Sequence, residues 1–567
     1  MNAAHRLLIT GAIAGFAWAS TVGGAWAFGG VNPISPGAYP VGCSDVSQNF
    51  ALAPSDEERA AYWEGTSASG QGRYVTQLFT QAQSAFIFDV AVPDAPELFT
   101  TFAGQVVPYA AIVCYPTSDS NMRPDYYYDA ALTKFVPRMQ RAAETPLWAD
   151  ADARYPVVLY SHGLDGSPLS REYLQTIALL ASYGYVVVAP FHGDGRFADV
   201  SIDDVSDLAR FLLDGGFREV VELQAMRPLS LKAALDTLLA DTNYRDHVDA
   251  ERVAGFGTSL GAESLLLYSG ARLTTDFFPR LKSAQVMSDA RLKAIAGYVP
   301  YFGQVLLPAF ADDQNGLDGM KVPFLGIAGT ADDVAPISLI EQGVNRMTGA
   351  RYVIAFDGLT HTLHQGDLPD IYTWTLGFFD AYLNGSEAAR GQIARTSQVT
   401  GGAADSVRIA YTPLPAPSTT QTVFTFPDGR LSADSVQVSV DGSLSSAELK
   451  ATLDAGRLHQ QLAETDLSGA AGNVYVLALV RGEALGSADS AWYVKLAPPQ
   501  GWAPLQGPIA ACLENMAGTT VEAPAVVDVL AGMDIRSLAG TEIYIGYGVS
   551  DVEALSANRY RGIYRVP

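Results

Sequence analysis

The sequence predicts a mostly parallel, doubly wound α/β sheet followed by a smaller, mostly-β domain. Three observations carry this. Short, wholly apolar runs alternate with helical stretches between residues 155 and 385, as expected for strands buried on both faces and joined by crossover helices. One of these runs leads through Gly257-Thr258-Ser259-Leu260-Gly261 into an apolar helical segment. Beyond residue 406 the helices give way to strand-like segments separated by turn residues, which predicts a sandwich-like β domain.

The 567 residues suffice for two or three domains, and 48% hydrophobic against 17% charged residues suits globular units with real cores. Binding phosphate needs a basic face, and a net charge of -24 argues against one, so nucleic acid is not an expected partner. The N-terminus reads as a signal peptide over residues 1–27. Arg6 supplies the positive start, residues 7–20 the apolar stretch, and Ala25-Trp26-Ala27 the cleavage site. The expected location is therefore secreted or periplasmic. No later run is long and apolar enough to predict a transmembrane segment.

Three cysteines follow the signal. Either Cys43 and Cys114 pair, leaving Cys512 over, or all three are buried thiols; both readings stand. No Cys/His cluster has zinc-ligand spacing, and neither metal nor cofactor is expected.

Taken in order, residues 28–105 form an N-terminal extension, rich in Gly, Pro, Ser and Ala, with one helical piece at 76–86. A strand is predicted at 106–115. A tyrosine run, Tyr126-Tyr127-Tyr128, precedes a mixed polar helix that ends before residue 148. Buried strands are predicted at 157–160, 185–190, 252–256, 294–299, 323–328 and 352–356, with helices at 170–183, 229–240, 262–268 and 371–383. These make a catalytic domain over 106–385. Residues 386–406, small and containing Gly401-Gly402, read as a linker. In the β-rich domain, 407–567, strands are predicted at 422–426, 435–440, 474–481, 491–496 and 542–547, with one helix at 446–453. Trp492 and Tyr493 alternate on a predicted strand, so at least one of them belongs to a core.

The Gly-x-Ser-x-Gly stretch carries the chemistry. A serine at the tip of a sharp strand-to-helix turn exposes its hydroxyl, and the flanking glycines leave room for the turn. A nucleophilic serine needs a histidine base, and the histidine an orienting acid. Of seven histidines, His5 leaves with the signal, His459 lies in the β domain, and His247 precedes the serine-bearing strand. Among His162, His192, His361 and His364, the last two alone follow the serine in the α/β region. His361, nearer its strand and just after Gly358, is the favoured base over His364. The acid is expected after the strand at 323–328, where Asp332 and Asp333 both qualify, one of them as a helix N-cap. Asp357 lies too close to His361 in sequence to orient its ring. The oxyanion hole is expected from the backbone N–H groups of Leu260 and of Leu164, in the loop Ser161-His162-Gly163-Leu164. His162 is expected to hold that loop, and His192 to be a satisfied structural histidine. Tyr298, Tyr301 and Phe302 follow a strand end and are candidate substrate-lining residues, with core packing the equally open alternative.

Ser161-His162-Gly163-Leu164, the run from Leu180 to Pro190 and Gly257-Thr258-Ser259-Leu260-Gly261 together resemble the α/β-hydrolases of the dienelactone hydrolase and platelet-activating-factor acetylhydrolase type. Gly329-Thr330-Ala331-Asp332, with Pro336 four residues on, is similar to the acid loop of this group and of cutinase-like polyesterases. Gly358-Leu359-Thr360-His361 is similar to its histidine loop. The resemblance covers about residues 106–385 and implies the α/β-hydrolase fold, a Ser259-Asp332-His361 triad and carboxylic ester hydrolysis without a cofactor. Dienelactone hydrolase itself uses cysteine where Ser259 stands, and the acetylhydrolases carry histidine where this chain has Thr258. Lipid-like, acyl or aromatic small-molecule esters are the expected substrates. A polyester or phospholipid substrate, with the C-terminal domain binding a surface or polymer, is one alternative; a non-catalytic binding protein is another.

Overall fold

The computed structural model describes residues 29–35, 37–65, 73–82, 85–123, 126–127, 135–136, 145–198, 216–277, 281–304, 307–414, 424–426, 429–463, 467, 470–516 and 524–567. The expected signal peptide, 1–27, and most of the segment 121–148 lie outside them. The chain forms two compact units, one of Val31–Gly385 with Gln398–Ala410, the other of Ser386–Ser397 with Tyr411–Pro567.

The first unit is built on a ten-stranded sheet. Its strands are β1 (Val41–Cys43), β2 (Phe86–Ala91), β3 (Val106–Pro116), β4 (Tyr155–Ser161), β5 (Val186–Pro190), β6 (Val248–Thr258), β7 (Leu292–Tyr298), β8 (Phe324–Gly329), β9 (Arg351–Phe356) and β10 (Asp405–Tyr411). The spatial order is β10-β9-β8-β7-β6-β4-β5-β3-β1, with β2 also on β3. From β5 to β9 every neighbouring pair is parallel. β3 runs antiparallel to β5, and β1 and β2 antiparallel to β3. Every residue of β4, β5 and β8 is buried although side chains alternate between the faces, so both faces are covered. The covering helices include α2 (Arg171–Ser182), α3 (Gly216–Ala240), α4 (Leu260–Tyr268), α5 (Ile337–Arg346) and α6 (Leu368–Tyr382), while α1 (Asp56–Glu64) lies earlier in the chain.

Several expectations are corrected. The helix expected at 76–86 is a single 3-10 turn, Val75–Gln77, and Phe86 opens β2, where Phe86, Phe88 and Val90 alternate inward. Within the stretch expected as an extension, β1 and β2 thus belong to the sheet. Cys43 sits opposite Cys114 across β1 and β3, and the two form a disulfide; Cys512 is a buried thiol. The helix expected at 229–240 begins thirteen residues earlier and continues through Pro228. Its middle is buried all round, so it has no apolar stripe to read. The expected linker holds a helix, α7 (Glu387–Arg395), capped by the Ser386 hydroxyl on Ala389 N–H at 3.2 Å.

In the second unit, β11 (Val436–Ser443), β12 (Ser446–Leu453) and β17 (Ala525–Met533) form a three-stranded sheet. β13 (Gly472–Val480), β14 (Ala491–Lys495), β15 (Trp502–Pro504), β16 (Leu513–Met516), β18 (Glu542–Gly548) and β19 (Tyr560–Arg565) form a six-stranded one. Paired strands within both sheets run antiparallel. Helices α8 (Ala455–Ala463) and α9 (Asp551–Ser556) accompany them. Leu449, Ala451 and Leu453 from one sheet share a core with Val474, Val476 and Ile543 from the other. The helix expected at 446–453 is β12. Its Ala, Glu, Leu and Lys favour a helix, but Ala447, Leu449, Ala451 and Leu453 bury one face at period two, and that pattern wins. The strand expected at 422–426 is absent over 424–426, the part described.

Candidate active site

Chain order creates the crevice. β5 lies to one side of β4 and β6 to the other, so the loops leaving the carboxyl ends of β4 and β6 diverge at a topological switch point. The register sets Ser161 beside Gly257, which brings the loop after β4 next to Ser259.

Ser259 links β6 to α4 with φ 52° and ψ −121°, a conformation that a non-glycine residue adopts only when its surroundings over-determine it. They do. Ser259 N–H donates to Tyr298 O at 2.9 Å, and Ser259 O accepts from Ala262 N–H at 3.0 Å and Tyr301 N–H at 3.1 Å. Val299, at φ 39°, makes the tight turn that returns Tyr301 to the serine. A Cβ on Gly257 would lie 2.4 Å from Ala262 N, and one on Gly261 1.9 Å from Ser161 O. Both positions therefore require glycine, as the motif implies.

His361 Nε2 lies 2.9 Å from Ser259 Oγ, and His361 Nδ1 lies 2.8 Å from Asp332 Oδ2. The other carboxylate oxygen, Asp332 Oδ1, accepts N–H bonds from Val334 at 2.9 Å and Ala335 at 2.8 Å. Asp332 thus orients the ring and also ties the turn before α5, two jobs that the sequence allowed to be split with Asp333. Asp333 is exposed. His364 is exposed too and meets Thr362 Oγ1 at 3.1 Å. Asp357 accepts from Thr330 Oγ1 at 3.1 Å. His247, stacked on Trp148 at 4.6 Å, sits at the opposite end of β6 from the serine.

The acid and histidine loops are laced to each other. Ala331 N–H donates to Leu359 O at 3.0 Å, Gly358 N–H donates to Thr330 Oγ1 at 2.8 Å, and a Cβ on Gly329 would lie 2.1 Å from Leu359 O. Because β7 and β8 stand between β6 and β9, the histidine loop must reach back across them. Tyr298, at the end of β7, props it by donating its hydroxyl to Thr362 O at 2.8 Å. Tyr298 is 1% exposed and Phe302 is fully buried against Phe310 and Phe324. Neither of these two expected substrate-lining residues is open to the crevice. Tyr301 keeps partial exposure beside the serine.

The loop after β4 is held by residues the sequence reasoning did not assign. Arg227, in α3, donates from Nη1 to His162 O at 2.7 Å and from Nη2 to Gly163 O at 2.9 Å. Its Nε donates to Asp194 Oδ1 at 2.9 Å, and its Nη2 pairs with Asp194 Oδ2. Asp194 Oδ2 also accepts from Asp165 N–H at 2.9 Å. Both side chains are 1% exposed, so this ion pair grips the backbone on either side of Leu164. The signal available was a lone arginine in an apolar helical run, Ala225-Met226-Arg227-Pro228-Leu229. Gly163 approaches the serine: a Cβ there would lie 3.7 Å from Ser259 Cβ. Leu260 opens α4, so its N–H has no acceptor within that helix.

His162 and His192 are buried and bonded at both ring nitrogens. His162 Nδ1 donates to Gly163 O at 2.8 Å while its Nε2 accepts from His192 N–H at 3.2 Å, which fixes a neutral tautomer. Burial, with the Arg227 charge nearby, pushes its pKa down to about 4. Ser230 Oγ–H is committed to Arg227 O at 2.8 Å, so His192 Nδ1 donates to Ser230 at 3.1 Å and its Nε2 accepts from Ser161 Oγ at 2.8 Å. Glu263, one turn into α4, is fully buried against the Gln224 amide at 2.9 Å, and burial raises its pKa to about 8.

Among the described residues, no cluster of His, Cys, Asp and Glu is arranged to hold a metal ion, and no helix is long and apolar enough to cross a membrane. No protein-family model matches the chain, and no curated protein matches it.

Proposed function

We propose that this protein is a secreted serine hydrolase of the α/β-hydrolase fold that cleaves carboxylic esters through an acyl-enzyme. The observation that carries the reading is the continuous chain Ser259 Oγ–His361–Asp332, at 2.9 and 2.8 Å, with the serine on a positive-φ turn. The sheet order, with nucleophile, acid and histidine following the parallel strands β6, β8 and β9 in that chain order, supports it. So does the Cys43–Cys114 disulfide, which suits an oxidising compartment beyond the expected signal peptide.

In this mechanism His361 Nε2 takes the Ser259 proton as Oγ attacks the ester carbonyl. Asp332 keeps the proton on Nδ1 and stabilises the imidazolium. The tetrahedral oxyanion is held by Leu164 N–H and Leu260 N–H, each contributing about 2.7–4 kcal/mol to transition-state stabilisation. His361 then protonates the leaving alcohol and activates water for deacylation. The catalytic groups belong to the first unit alone, and lipid-like, acyl or aromatic small-molecule esters are the primary substrate class. Polyester or phospholipid cleavage is the second reading, favoured by the aromatic face of the second unit described below.

The test is a fluorophosphonate label combined with a chain-length panel of p-nitrophenyl esters, a phospholipid and an aromatic diester. Label should map to Ser259, and Ser259→Ala should lose at least about 10⁴-fold in kcat with its melting temperature kept. Hydrolysis that survives in that variant refutes the assignment and leaves a non-catalytic binding role.

A further inference from the structure

We propose that the second unit carries a separate binding site for an uncharged aromatic molecule. Along β13, Val474, Val476 and Ala478 enter the core, so Tyr475 and Leu477 face the other way. Leu477 stands opposite Tyr544 on β18, and Leu479 opposite Trp492 on β14. Of the alternating pair, Tyr493 packs on the core, whereas Trp492 turns to this second face. There Tyr475, Leu477, Trp492 and Tyr544, with Phe426 and Leu555 at the rim, line a pocket of about 370 Å³, a volume within the usual range for small ligands.

The lining selects the ligand. Phe426, Trp492 and Tyr544 form one wall, with ring centroids 5.5 to 6.2 Å apart and rings tilted to one another. That wall offers π faces and edges to a flat ring. Several of the polar atoms around it are already engaged. Tyr544 Oη donates to Glu542 at 2.7 Å and accepts from Phe426 N–H at 3.3 Å. Asp551 Oδ2 accepts Ile509 N–H at 2.8 Å, and Tyr475 Oη accepts from Asn473 at 3.4 Å. A sugar would lose water from each hydroxyl against a lining made mostly of rings and aliphatic side chains, which return few hydrogen bonds. An anion would meet Asp551 and a protein of net charge -24. Phe426 and Leu555 are 41% and 46% exposed, which leaves apolar surface at the mouth for an entering ring to cover.

The experiment uses the full chain carrying Ser259→Ala, with N-phenyl-1-naphthylamine as a neutral aromatic fluorescent probe. The expected result is saturable binding, unchanged when wild-type protein is blocked at Ser259 by a phosphonate, and displaced by 2-naphthol but not by maltose or octanoate. Trp492→Ala should weaken the probe by about tenfold or more. Leu555→Glu, on the exposed rim where folding is not at stake, should weaken it in the same direction. Absence of saturable binding, binding untouched by Leu555→Glu, loss on phosphonate treatment, or displacement by maltose or octanoate overturns the proposal. None of these outcomes bears on the triad, which the fluorophosphonate label tests separately.

Discussion

Replacing Arg227 by Met separates what the buried ion pair does for stability from what it does for catalysis. The guanidinium makes four hydrogen bonds, two to the carbonyls of His162 and Gly163 and two to Asp194, all out of water. Removing it strands the Asp194 carboxylate, which keeps its bond from Asp165 N–H. Breaking a buried pair from one side costs about 3–5 kcal/mol, a large part of the roughly 5–15 kcal/mol that holds a domain folded. The two freed carbonyls sit beside Leu164, whose N–H is the proposed oxyanion donor. A misplaced donor costs about 10²–10³ in kcat, with little change in KM because a ground-state ester makes weak use of it. The double variant Asp194→Asn/Arg227→Met removes the stranded charge and should recover much of the lost melting temperature. It leaves both carbonyls ungripped, so kcat should stay low. Thermal melts and steady-state p-nitrophenyl butyrate hydrolysis on both variants decide it, with fluorophosphonate labelling to check that Ser259 and His361 still act. A double variant that regains stability and wild-type kcat together refutes the positioning role.

Asp332→Asn should lower kcat by about 10⁴-fold, since the amide favours the wrong imidazole tautomer, while Asp333→Asn, on an exposed side chain, should leave it within about twofold; the reverse result moves the acid. Glu263 has its folded pKa raised to about 8 from 4.5, so it binds more protons folded than unfolded, and its contribution is present at low pH and is lost as pH rises through 8. His162 works in the opposite sense: its pKa, lowered to about 4 from 6.5, adds stability as pH climbs between those values and nothing above them. Denaturant melts should therefore show wild type losing about 2 kcal/mol more than Glu263→Gln between pH 6.5 and 8; parallel curves refute this. Reducing the Cys43–Cys114 disulfide, which joins residues 71 apart in sequence, should destabilise the first unit by about 4 kcal/mol on loop-entropy grounds, read as a fall in melting temperature absent from a Cys43→Ser/Cys114→Ser double variant.

The sheet was legible because its strands are short and uniformly apolar: residues 157–160, 185–190 and 352–356 each fall within or overlap an observed strand. That Ser259, His361 and Asp332 would meet was legible because a chain with seven histidines leaves few choices. What stayed hidden depends on contacts between distant segments. β1 and β2 lie in a stretch whose glycines and prolines mask three- and six-residue strands. β12 reads as helix by residue type and becomes a strand because of its period. Arg227 and Asp194 are 33 residues apart, and nothing local shows that they meet beneath the loop after β4. Tyr298 and Phe302 were legible as apolar residues near the serine, but whether an aromatic props a loop, fills a core or meets a substrate is decided by the register of β7.

The lacing of the acid loop to the histidine loop divides the triad into parts of unequal freedom. Asp332 and His361 hang from adjacent strands whose loops share backbone hydrogen bonds, so their 2.8 Å contact travels as one piece. Ser259 hangs from a strand two places away and is fixed by its own turn. Any play in the site therefore falls at the 2.9 Å contact between His361 and Ser259. In the proposed mechanism that is the contact that has to loosen, because the same Nε2 serves the serine, the departing alcohol and the incoming water in succession. Insertions in either laced loop would shift base and acid together and spoil their aim at the serine while leaving their own bond intact. Such variants would keep an oriented histidine and lose turnover.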